Sequence, residues 1–113
     1  MVEFHMLRKP KRYTLFPEHY TARRRLEPQE RIVAWRIALT HGCVSEESLI
    51  DALWGDREDG GPLSATRTLY QRLYGVRLIC PVDIFVSYGF GWYVRNEDRE
   101  TMLEWLAQEL QYA

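Results

Sequence analysis

Long apolar runs are missing from this 113-residue chain. Nothing in it approaches the roughly 18–20 consecutive apolar residues that a membrane-spanning helix needs. Its first residues hold no apolar signal core, because Glu3, His5, Arg8 and Lys9 interrupt them. A cytoplasmic protein with no membrane partner is therefore expected. Cysteine is scarce: Cys43 and Cys80 lie far apart, without CxxC spacing. In a cytoplasmic chain each is expected to be a small buried hydrophobe. His41 and Cys43 form an HxC pair, but a metal site needs about four ligands and nothing supplies the others. No motif places a phosphate-binding glycine loop, a Ser/His/Asp set or a paired-acid constellation. Asp56, Glu58 and Asp59 fall in a loop and read as solvated. The expectation is no enzyme, no metal and no cofactor. There is no internal repeat and no low-complexity tract.

What is present suits one soluble domain. Hydrophobic residues make up 46% of the chain and aromatics 13%, enough for a core. The net charge of −1 hides a division. Residues 1–36 hold nine Lys/Arg against four Asp/Glu, and the remainder holds six against twelve. The excess lies in Arg8, Lys9, Lys11, Arg12 and the run Arg23, Arg24, Arg25. A basic arm on a neutral body is a common way to hold a polyanion, and a solvated tail is the plainer alternative.

The arm, residues 1–25, carries two candidate short strands, near Tyr13–Phe16 and Tyr20–Leu26. Pro10 makes the first dozen residues a weak candidate for regular structure. "LEPQERIVAWRIALTHG" predicts a helix with Pro28 at its first position, Glu30 reaching back, and Ile32, Val33, Ile37 and Leu39 as its apolar face. Gly42 is expected to take the left-handed conformation after it. "SEESLIDALWG" predicts a second helix, capped by Ser45 and ended by Gly55, with Leu49/Leu53 and Ile50/Trp54 as apolar pairs. Only a short turn separates the two. Gly55 to Pro62 is a loop by composition. "LSATRTLYQRLYG" predicts a third helix with Ala65, Leu69, Tyr70 and Leu73 inward. Ser64, Arg67, Thr68 and Gln71 lie on the other side, with Arg72 on the flank. Asp83–Ser87 and Trp92–Arg95 predict a β-hairpin punctuated by Gly89 and Gly91. Asn96 caps a last helix with Met102, Leu103, Leu106 and Leu110 on one face and Trp105 beside them.

This order of elements is α+β, that of a winged helix-turn-helix with a three-helix core and a C-terminal hairpin wing. Two segments resemble the OmpR/PhoB-type winged-helix effector domain of bacterial response regulators. In "LEPQERIVAWRIALTHGCVSEESLIDALWGD", residues 26–56, the matching positions are Leu26, Pro28, Glu30, Gly42, Val44, Ser45, Leu49, Leu53, Trp54 and Gly55. In "IFVSYGFGWYV", residues 84–94, Gly89, Gly91 and the following aromatic fit the family's wing. The resemblance covers about residues 26–95. The last helix, within 96–113, lies beyond the family pattern. Only about 25 residues precede the first helix, too few for the family's receiver domain, so a stand-alone protein is expected. The family's basic run at the end of the third helix is reduced here to Arg72, Leu73 and Arg77. Tyr88 stands where the family tends to have a wing arginine.

The resemblance implies a double-stranded DNA-binding transcription regulator, of a bacterium or a mobile element, found on the nucleoid when bound. Its third helix would enter the major groove, with Arg67, Thr68 and Gln71 facing bases. Ser64, Arg72, Arg23, Arg24 and Arg25 would hold phosphates. Tyr88 and Phe90 would form the wing tip, and Trp92 would anchor it in the core. The loop Gly55–Pro62 aligns with the segment that meets RNA polymerase in the family, although a plain connector is the stronger reading. The last helix either closes the core, which is the expectation, or forms a homodimer seam. The alternative function is a protein-interaction module on the same fold, an adaptor or inhibitor of polymerase or of another regulator. The acidic C-terminal region, the missing wing arginine and the aromatics favour it.

Overall fold

The computed structural model describes residues 6–7 and 25–111. Those residues form an α+β domain of four helices and a small antiparallel sheet. The helices are α1 (Pro28–Leu39), α2 (Glu46–Trp54), α3 (Ala65–Ile79) and α4 (Asn96–Gln111). The strands are β1 (Met6–Leu7), β2 (Ile84–Ser87) and β3 (Gly91–Tyr93), in the order β1-β2-β3.

Helix α1 is central and packs on α2, α3 and α4. Pro28 occupies its first turn, where a missing N–H leaves no bond unmade. The Glu27 N–H donates to Glu30 Oε1 at 2.9 Å, the expected back-reach. The apolar face differs from the one predicted. Val33 and Ile37 are buried, but Ile32 is 40% exposed and Leu39 62% exposed. The buried stripe is Glu30, Val33, Ala34, Ile37 and Ala38, a helical spacing in which alanines let neighbouring helices come close. Gly42 does have a left-handed φ of +91°, though α1 has already closed at Thr40.

Helix α4 closes the core against α1. Met102 and Leu106 are fully buried, and Leu103 and Trp105 pack at the margin. Leu110, on the face predicted to be apolar, remains 54% exposed. Asn96 is the first helical residue rather than the residue before it. Polar groups of α4 hold both ends of α1. Arg99 donates to the carbonyls of Ala38 and Thr40 at 2.7 and 2.5 Å, satisfying acceptors that a helix C-terminus leaves open. At the other end the Leu26 N–H donates to Glu109 Oε1 at 2.8 Å, and Glu109 is buried by that contact. Leu26 itself lies in the core, and its carbonyl accepts from Arg31 at 2.8 Å.

The hairpin alternates as a pleated strand pair must. Ile84, Val86, Trp92 and Val94 face the helices. Phe85 and Tyr93 pair on the other face with rings 5.3 Å apart. The Phe90 N–H donates to the Ser87 carbonyl at 2.9 Å, which closes a four-residue turn. Gly89, with φ +86°, sits at its third position, where a type II turn requires a left-handed residue. The strand β1 departs from expectation, because Pro10 argues against regular structure there. The strand ends at Leu7, short of that proline, and pairs with β2 through Met6 and Leu7. The candidate strands at residues 13–16 and 20–24 lie outside the described residues. Arg25 and Leu26 are not in a strand. Two further expectations are corrected. Helix α3 runs through a buried Gly75 to Ile79, since Val76 and Leu78 extend its apolar stripe. Cys43 is exposed, because it lies in the turn between α1 and α2, whereas Cys80 is buried.

The hairpin is bonded to that same turn. Val44 N–H donates to the Trp92 carbonyl at 2.8 Å, and Trp92 N–H returns to the Val44 carbonyl at 3.0 Å. This pairing brings Gly91, with φ +124°, against backbone: a Cβ there would stand 2.0 Å from the Val44 carbonyl oxygen. At Gly89 a Cβ would meet nothing within 4 Å. Urea unfolding should separate the two glycines. Gly89→Ala is expected to cost about 1–2 kcal/mol, from backbone conformation alone. Gly91→Ala adds a steric conflict and should cost more, about 3 kcal/mol or above.

Candidate functional site

Two rows of α3 carry the residues that the sequence singles out. The outer row brings Arg67 and Gln71 together, both exposed. With Thr66, Tyr70 and Tyr74 they line an open dish of about 500 Å³. The inner row holds Thr68 and Arg72, and in line with it Ser64 stands exposed just before the helix. Thr68 is half-buried, with its hydroxyl 3.5 Å from that of Ser64. Arg72 is half-buried too, and its Nε donates to Gln29 Oε1 of α1 at 2.9 Å. One cationic side chain is therefore partly committed inside the domain. Arg25 is exposed, and Arg23 and Arg24 lie outside the described residues.

Tyr70 does not face the core as predicted; it is 50% exposed. Its position beside Leu69 turns it toward the hairpin, where its ring meets the Trp92 ring edge-on at 5.6 Å. Its hydroxyl donates to Glu46 Oε1 at 3.3 Å. The Thr66 hydroxyl donates to Glu46 Oε2 at 3.1 Å. Glu46, in the first turn of α2, thus sets an acid beside the outer row of α3. In the sequence it reads only as a favourable charge at a helix start. Its two partners lie 20 and 24 residues later, and no local pattern announces them.

A second groove, about 680 Å³, runs between α3 and the hairpin. Glu46, Glu47, Tyr74 and Arg77 line its helical side; Tyr88, Phe90 and Trp92 line the other. Burial pushes the Arg77 guanidinium down from its ordinary value, while Tyr74 and Asp83 oppose the shift. Tyr88 and Phe90 stand at the hairpin tip, 70% and 71% exposed, and Trp92 is buried at 5%. From Ile84 to Val94 no residue carries a charge. The loop that opens with Gly55 folds around Asp59, which accepts from Gly61 N–H at 3.0 Å and pairs with Arg57 at 2.8 Å. The Gly61 bond first, then Arg57, holds the Asp59 carboxyl below its usual range. Among the described residues no group of three His, Cys, Asp or Glu side chains converges, and no helix is long and apolar enough to cross a membrane.

Comparison with known protein families, curated proteins and solved structures returns no match for this chain.

The Glu46–Tyr70 contact can be read by titration. Partial burial first, and Glu46 second, raise the Tyr70 pKa above its ordinary 10.0. A raised folded pKa means that the stability from this contact is complete below the unfolded value and is lost as pH climbs through the folded one. Ultraviolet titration should find Tyr70 ionising late, and Glu46→Gln should bring its transition down. An unchanged titration curve would remove Glu46 from the site.

Proposed function

We propose that this chain is an OmpR/PhoB-like winged helix-turn-helix protein that binds double-stranded DNA and regulates transcription. Helix α3 enters the major groove, and the β2–β3 hairpin is the wing. The order helix, turn, helix, hairpin supports the fold, as does the direct bonding of the hairpin to the turn between α1 and α2. One observation carries the function: Arg67 and Gln71 stand together, exposed, on the outer row of α3. Their spacing suits a helix lying in a groove. A guanidinium can pair bidentately with guanine and a primary amide with adenine, both established specific pairings. Ser64, and Arg72 held by Gln29, are suited to phosphates, and the Thr68 methyl to the methyl group of a thymine. The basic run at Arg23, Arg24 and Arg25 would add grip independent of sequence.

A second reading has its own observation. Glu46 lies against Thr66 and Tyr70, and the hairpin is uncharged. An acid beside the reading row and a neutral wing suit a protein partner, such as polymerase or another regulator.

A salt series on random duplex DNA decides between them. DNA binding predicts a steep, linear fall of log affinity with log salt. On a selected site, Arg67→Ala should lose roughly 10-fold or more and relax preference at one base position, whereas Arg24→Ala should weaken all sites alike. No duplex binding even near about 50 mM salt would leave the protein-interaction reading.

A further inference from the structure

We propose that the hairpin tip acts on the duplex as a neutral aromatic wedge: Tyr88 and Phe90 enter the minor groove beside the α3 footprint, unstack a single base step and bend the DNA. This inference rests on the duplex-DNA reading above. It starts from the composition of the tip. No charge lies between Ile84 and Val94, so the hairpin releases no counterions and cannot clasp phosphates ionically. The flanking Arg95 is engaged with Asp98 at 3.1 Å and lies over the Phe85 ring. In the groove between hairpin and α3, the acids Glu46 and Glu47 stand against a half-buried cation, Arg77. Contact with DNA at this end must come from ring surface.

The tip offers such surface in a suitable form. Tyr88 and Phe90 flank Gly89 in the three-residue turn between the paired Ser87 and Gly91, and both are largely exposed. Apolar and aromatic side chains between base steps unstack them and kink the duplex. A wedge must be stiff at its base, and this one is. Trp92 is buried, Val44 holds β3 through two backbone bonds, and Phe85 stacks on Tyr93. The step opened should be a flexible pyrimidine–purine step, which gives sequence preference without a hydrogen bond to any base.

The test uses the full chain and a duplex selected from a random pool, labelled at both ends for energy transfer. 2-Aminopurine is placed in turn at each flanking position. The wild type should shorten the end-to-end distance and brighten one 2-aminopurine position. The variant Tyr88→Ser/Phe90→Ser should keep the wild-type far-ultraviolet circular dichroism and a cooperative melt, which shows that it is folded. It should bind roughly 10-fold or more weakly, keep the same salt slope, and leave the duplex straight. Tyr88→Trp should retain the bend. A wild-type complex that is unbent, with no brightened position, overturns the wedge and leaves the DNA reading standing. A double variant that binds and bends like the wild type also overturns it, and directs the tip to another protein. Absence of wild-type binding at any salt removes the DNA reading and the wedge with it.

Discussion

The pairing of Val44 with Trp92 sets the geometry on which everything else depends. Two short backbone hydrogen bonds join the hairpin to the turn between α1 and α2. Backbone bonds of this kind fix both distance and direction, as side-chain packing alone does not. They carry the Trp92 ring into the core and against Tyr70. The angle between hairpin and α3, and the groove between them, follow from one backbone meeting. Glycine at position 91 is what lets the two backbones approach.

Much of this arrangement is legible in the sequence because it is local. Ser45 caps α2 through its contact with the Ser48 N–H, as capping chemistry requires. Pro28 and Glu30 mark the start of α1, and the paired glycines mark the hairpin. The misreadings have a common cause, which is that sequence patterns weigh side-chain size rather than neighbours. On α1 the large Ile32 and Leu39 look like core, but the tight helix contacts select Ala34 and Ala38. Tyr70 looks like core beside Leu69, but its hydroxyl needs a polar partner and finds Glu46. Gly91 is recognisable as a glycine that belongs in a turn; its stronger requirement comes from Val44, far earlier in the chain. Within the site, helical phase and turn chemistry point to Arg67, Gln71, Tyr88 and Phe90. Glu46 and the commitment of Arg72 to Gln29 are hidden, because both depend on contacts between elements.

The proposed function divides its physics between the two sides of the groove. On α3 the interaction would be directional, through Arg67 and Gln71. At the hairpin it would be neutral and depend on ring area. Glu46 stands between these regimes, held by two hydroxyls, and its charge would oppose indiscriminate attraction to phosphate. Such an arrangement favours discrimination over raw affinity, since a weak general pull leaves the specific contacts to decide the site.

Arg99 and Glu109 of α4 are ten residues apart, about 15 Å along a helix, and each secures a different end of α1. The Glu109 contact spans 83 positions of sequence. During synthesis α1 leaves the ribosome early and must wait, with its terminal groups hydrated, for nearly the whole of the domain to follow. The domain is consequently finished from the back. The elements that would meet DNA are all made before the helix that locks their scaffold, and a nascent chain stalled short of residue 109 would carry every candidate contact residue on an unfastened frame.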